Sequence, residues 1–93
     1  MQRLLWHLIV GTRGGINRAR ILLLLKDRPY NANSLAEELG LDYKTVRHHL
    51  RVLRRNDLVM ASKEEHSTLY FLTPTMLRYW EDFEGIWKKI GKK

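Results

Sequence analysis

Between Ser34 and Arg55 the chain spells two helical segments with almost nothing between them. Leu35, Ala36 and Leu39 make the apolar face of the first, Gly40 closes it, and Asp42 is placed to cap a second that runs to about Arg55, with Asn56 as its terminator. The connecting turn is only about two to three residues around Gly40-Leu41, and two helices joined that tightly form a helix-turn-helix. Everything else in the chain must pack around that unit.

The flanking segments supply partners for it. Asn31 or Asn33 can cap the first helix of the pair, and Ser34-Leu-Ala-Glu37 is an alternative capping box. Upstream, residues 3 to 10 read as a short apolar helix stopped by Gly11, and a second helix is expected from about Ile16 to Lys26 or Asp27, because Gly14-Gly15 loosens its start and Arg28-Pro29 forbids continuation. Its run Ile21 to Leu25 is apolar most of the way round, which places it centrally. Downstream, Leu58 to Lys63 and Thr68 to Leu72 are rich in strand formers and predict a β-hairpin across Glu64-Glu65-His66-Ser67. Thr73 or Thr75 then caps a final helix from about Pro74 to Ile90. The fold class expected is mainly α with a small β-hairpin, a winged helix-turn-helix with added N- and C-terminal helices.

Charge indicates what such a scaffold would meet. Seventeen Lys and Arg against ten Asp and Glu give a formal net charge of +7, and 44% hydrophobic residues suffice for a packed core, so the chain is basic and globular with an acidic partner in prospect. On the fourth helix Val46, Leu50 and Leu53 fall on one stripe, with Tyr43 and His49 at its margins, while Lys44, Arg47, His48, Arg51 and Arg55 take the opposite side. Such a helix fits the B-DNA major groove, where Arg pairs with guanine and phosphates attract every nearby cation. The plainer alternative is a solvated helix face, against which the preceding short helix and tight turn weigh.

The stretches Arg13-Gly-Gly-Ile-Asn-Arg-Ala-Arg-Ile-Leu, Leu35-Ala-Glu-Glu-Leu-Gly-Leu-Asp-Tyr-Lys-Thr-Val-Arg-His-His-Leu-Arg-Val-Leu-Arg-Arg-Asn-Asp-Leu-Val and Tyr70-Phe-Leu-Thr-Pro resemble the winged helix-turn-helix transcription regulators of the ArsR-like group, particularly its archaeal members. The resemblance covers roughly residues 13 to 74. It implies three helices and a two-stranded wing, a dimer, and binding to operator DNA with Lys44, Thr45, Arg47, His48 and Arg51 toward the major groove. The sequence departs from that pattern in two places. It has no cysteine, which excludes thiolate metal sensing, and its wing tip carries Glu64 and Glu65 where many relatives turn through glycine and arginine. Carboxylates are repelled by phosphates, so Lys63 and His66 are left as the weak wing contacts.

His48 and His49 point about 100° apart on a helix and a zinc site needs several converging ligands, so no metal is expected; His49 reads as a partly buried, hydrogen-bonded side chain. No nucleophile, base and orienter can be assembled, so no catalysis and no cofactor are expected. Asn17, Arg18 and Arg20, at the start of the second helix, either hold DNA phosphates or pair with acids such as Glu37 and Glu38. Met76, Trp80, Phe83, Trp87 and Ile90 repeat as the a and d positions of a coiled-coil seam, which either folds back on the domain or pairs with a second chain. The pairing is the expected outcome, aided by apolar residues 4 to 10.

Together these readings divide the chain into an N-terminal helix (1–12), a DNA-binding domain (13–73) and a dimerisation helix with basic tail (74–93). The function expected is sequence-specific binding of double-stranded DNA by a homodimeric regulator, its effector unknown. A winged-helix protein-interaction module and a non-specific DNA coat are the alternatives. No apolar run approaches the roughly 18 residues of a membrane span and no export signal is legible, so the cytoplasm is the expected compartment.

Overall fold

The computed structural model describes residues 1–63 and 65–91, so Glu64 of the acidic wing tip and Lys92 and Lys93 of the basic tail lie outside the described residues. The elements are α1 (Gln2–Ile9), α2 (Gly15–Asp27), α3 (Ala32–Leu39), α4 (Tyr43–Arg55), β1 (Val59–Lys63), β2 (Thr68–Leu72), α5 (Pro74–Arg78) and α6 (Trp80–Lys89). This is a winged helix-turn-helix with an added helix at each end.

Local chemistry explains most of the boundaries. Asn31 caps α3 by accepting a hydrogen bond from Ser34 N at 2.8 Å, and Gly40 ends it in the left-handed region at φ 65°, a conformation that costs glycine nothing. Asp42 takes the N-cap position of α4, but its side chain makes no capping bond. Asn56 is the C-cap of α4, as expected, its Nδ2 donating to Val52 O at 2.8 Å, and the chain reverses at the next residue, Asp57, with φ 59°. That reversal is pinned by a residue 16 positions further along the chain. Thr73 Oγ1 donates to Asp57 O at 2.7 Å and accepts from Met76 N at 3.0 Å, so one hydroxyl closes the turn after α4 and caps α5.

β1 and β2 pair antiparallel from Val59 opposite Leu72 to Lys63 opposite Thr68. Tyr30 adds a bridge that the sequence did not announce, exchanging backbone bonds with Tyr70 at 2.8 and 3.2 Å and tying the α2–α3 connection to the wing. The core lies where α2, α3, α4 and the base of the hairpin meet, and Ile21, Leu22, Leu35, Val46, Leu53 and Leu58 are all fully enclosed.

The terminal helices depart most from expectation. The helix predicted over Pro74 to Ile90 is broken at Tyr79, so Met76 lies on α5 and the rest of the stripe on α6. Met76 and Phe83 are 0% exposed and Trp87 8%, all within their own chain, where α6 packs against α1 through Leu5, Leu8 and Ile9. The central part of the expected seam between copies is therefore internal, and only Trp80 and Ile90 stay partly exposed. A domain this small needs that area for itself. Trp80, Phe83 and Trp87 form a ring ladder with centroids 4.7 and 6.2 Å apart. Phe83→Ala should thus cost about 3–5 kcal/mol in urea unfolding, whatever the protein concentration, because the cavity opens inside one chain.

Candidate nucleic-acid interface

α4 is seated by Val46, Leu50 and Leu53, none more than 1% exposed, and that seat fixes which side chains face solvent. Lys44, Arg47, His48, Arg51, Arg54 and Arg55 are exposed and Thr45 is half-buried. No ion pair joins any of these cations to an acid among the described residues, so the face keeps its charge. Arg47 is preorganised: its Nη1 donates to Tyr43 Oη at 3.0 Å and its guanidinium stands 5.7 Å from that ring. The hydroxyl bond raises the Arg47 pKa above its ordinary value.

Two notches flank the helix on its wing side. One, of about 330 Å³, is lined by Arg47, Arg51, Arg54, Arg55 and Tyr70 over Leu50. The other, of about 280 Å³, lies between Asn31 and Asn33 at the start of α3, Tyr43 and Arg47 on α4, and His66 to Thr68 of the wing. Arg54 escaped the sequence reading, although the i, i+4, i+7 spacing of Arg47, Arg51 and Arg54 was available to find it. Tyr70 and the two asparagines had no local signal, since only the fold brings them to the helix. On the wing, Lys63 is exposed, and His66 Nε2 stands 3.7 Å from Glu65 Oε1 with both side chains in open water, where such a pair is worth little.

Arg18 does not belong to this surface. It is 4% exposed, and of the neighbours expected for it, neither phosphate nor Glu37 or Glu38 is what it meets. Its Nε donates to Leu8 O at 3.0 Å, its Nη2 to Thr12 Oγ1 and to Arg13 O at 3.3 Å, and its Nη1 to His49 Nδ1 at 3.2 Å. Burial lowers the Arg18 pKa, but the last turn of α1 supplies the partial negative charge of a helix C-terminus. Arg20 is exposed and Asn17 half-buried. The two adjacent histidines diverge, His48 to solvent and His49, 5% exposed, to the interior. Because arginine only donates, His49 must accept at Nδ1 and carry its proton on Nε2. Among the described residues no three His, Cys, Asp or Glu side chains converge as metal ligands, and no helix is long and apolar enough to cross a membrane.

Burial first, then the neighbouring Arg18 and His48 charges, lowers the His49 pKa from 6.5 to about 4. Between those two values the unfolded chain holds a proton here that the folded chain refuses. Stability from this group is complete above pH 6.5 and is lost as pH falls toward 4, by up to about 1.4 kcal/mol per pH unit. His49→Gln keeps a neutral acceptor and cannot titrate. Urea unfolding from about pH 7 down to about pH 4.5 should therefore show a shallower decline for the variant than for the wild type.

Comparison with known proteins gives this geometry a context. Residues 17–61 match the bacterial regulatory protein, arsR family. The HTH-type transcriptional regulator NmtR of Mycobacterium tuberculosis is 37% identical over 59 residues, covering 63% of this chain and 49% of that one, so the chain spans about half the length of this curated relative. Among solved structures, a mutant of Lactococcus lactis ZitR superposes with TM-score 0.72 at 22% identity over 80% of this chain and 53% of its own, and wild-type ZitR in complex with DNA with TM-score 0.66 at 22% identity over 78% and 52%. The Zalpha domain of Carassius auratus PKZ, in complex with Z-DNA, superposes with TM-score 0.60 at 28% identity, over 67% of this chain and the whole of that domain.

Proposed function

We propose that this protein is a sequence-specific, double-stranded-DNA-binding transcriptional regulator that acts as a homodimer in the cytoplasm, each subunit laying α4 in the major groove of one half of a roughly two-fold symmetric site. The observation that carries the reading is a fully exposed cationic face on the second helix of a helix-turn-helix, with no carboxylate among the described residues to quench it. The match of residues 17–61 to the arsR family and the likeness to a helix-turn-helix transcriptional regulator support it, as does a neighbour of the same fold solved with DNA. The curated relative and the matching family are bacterial; the archaeal likeness rests on the sequence motifs alone.

In this reading Lys44, Thr45, Arg47, His48 and Arg51 face base edges, and Arg54, Arg55 and Lys63 hold phosphates. The action is occupancy of the site, without chemistry. The subunits pair through the surface that the terminal helices leave uncovered. Trp6 on α1 is 43% exposed and Val10, just past its end, 39%, while Leu4, Trp80 and Ile90 are half-buried. A groove of about 600 Å³ runs there between α1 and α6, with Arg3, Trp6 and His7 on the α1 wall and Glu81 and Asp82, together with Lys89, on the α6 wall. That pattern suits a two-fold contact in which each groove meets its copy.

Selection of bound sequences from a random duplex pool tests the function directly. A regulator should discriminate selected from random DNA by about 10³ or more, a coat hardly at all, and an interaction module should bind neither well. Arg47→Ala and Arg51→Ala should each weaken the selected complex by about 1–3 kcal/mol while melting stays near wild type. The log-log salt dependence of binding should be steep, with a slope of about −0.9 for each phosphate contact, and a flat response overturns the reading. In sedimentation, Trp6→Glu combined with Val10→Glu should give a folded monomer with much weaker DNA binding, since two half-sites are no longer linked.

A further inference from the structure

Arg18 and His49 touch nothing on the cationic face, yet they hold the helix that carries it. Arg18 is held at three places along the chain before it reaches α4: the last turn of α1 at Leu8, the hydroxyl of Thr12 and the carbonyl of Arg13. Its remaining nitrogen is anchored on His49 at 3.2 Å, 31 positions further along the sequence, so one rigid guanidinium carried by α2 bridges α1 and α4. The His49 ring is gripped from a second direction as well. Gly14, at φ 81°, passes so close that a Cβ there would lie 2.7 Å from His49 Cε1, and a Cβ on Gly15 would lie 1.8 Å from Ile9 O. The joint between α1 and α2 is therefore moulded onto the back of α4. His49 lies among the residues of the exposed face in sequence, its ring centroid 5.7 Å from that of His48.

We infer that Arg18 and His49 are positioning residues that lock the rotation of α4 about its own axis to the placement of α1, so that each subunit presents its cationic face at one fixed angle to the dimer surface. This inference rests on the DNA-binding reading above. The lock matters because the two kinds of DNA contact differ in tolerance. A turn of about 10° swings a side-chain tip about 5–6 Å from the helix axis by about 1 Å. That displacement ruins a bidentate base contact, while a flexible cation can still follow a phosphate. The pair consequently serves discrimination between sequences more than attraction to DNA.

The test uses the full chain and the variants Arg18→Lys and His49→Phe, each of similar bulk, with His49→Gln as the conservative replacement that keeps an acceptor. Affinity for the selected duplex should fall at least about tenfold in the first two, affinity for a random duplex should change less than about twofold, and His49→Gln should recover most of the loss. The absence of cysteine allows a second readout, the distance between spin labels placed at Arg3→Cys on α1 and Arg55→Cys on α4, diluted with unlabelled protein. Wild type should give one narrow distance, and Arg18→Lys and His49→Phe a broadened one. A narrow distance in both variants overturns the inference, as do equal losses on selected and random DNA, a broadened distance with unchanged discrimination, or variants that simply fail to fold. Should the wild type itself select no duplex, the DNA-binding reading fails, and the label distance alone decides whether the pair locks α4.

Discussion

A guanidinium buried without a carboxylate partner obliges the surrounding chain to arrange itself around it. An uncompensated charge in a protein interior is too costly to keep, so every donor of Arg18 that is enclosed needs an acceptor. The chain supplies neutral ones from separate places: carbonyls of Leu8 and Arg13, the Thr12 hydroxyl and the Nδ1 of His49. Meeting that demand draws the end of α1, the loop after it and the buried side of α4 to one point. It also fixes the tautomer of His49, whose imidazole is kept neutral well below the usual range by burial first and by the Arg18 charge second. A proton on that ring would remove the acceptor and set two cations against each other.

The same economy of a small domain explains the ends of the chain. The stripe Met76, Phe83 and Trp87 has the spacing of a seam between helices, but all three side chains are buried within their own chain, where α6 packs against α1 and α5 against β2. α5 is capped by Thr73, just past the hairpin, and α6 follows after Tyr79. The outer side of that helix pair still exposes Trp6 and Val10. Any dimer would then be built upon the folded domain and not as a condition of its core.

The helix-turn-helix was legible in the sequence because its signals are local. Capping asparagine, closing glycine, a turn too short for any other geometry and an apolar stripe at helical spacing all act within a few residues. The division of α4 into a buried and a cationic side followed from the same periodicity, and so did the hairpin and the proline-led start of α5. Periodicity identifies an apolar face, but it cannot say what covers it. The same stripe therefore suits a second chain as well as it suits α1, and nothing in its spacing marks the break at Tyr79.

Arg18 shows the limit most plainly. Beside Asn17 and Arg20 at a helix start it reads as a surface cation, and nothing within several residues marks it as buried. Its acceptors lie 10 positions before it and 31 after it in sequence. The bridge from Tyr30 to Tyr70 and the placing of Asn31, Asn33 and Tyr70 beside α4 are of the same kind. The sequence by itself determined the elements, their amphipathic sides and the sign of the surface, since each depends on neighbours along the chain. Only the tertiary structure decided which charge is buried, which apolar stripe is covered from within and which side chains share a notch. Those outcomes depend on distances between segments far apart in sequence, and no local propensity encodes them.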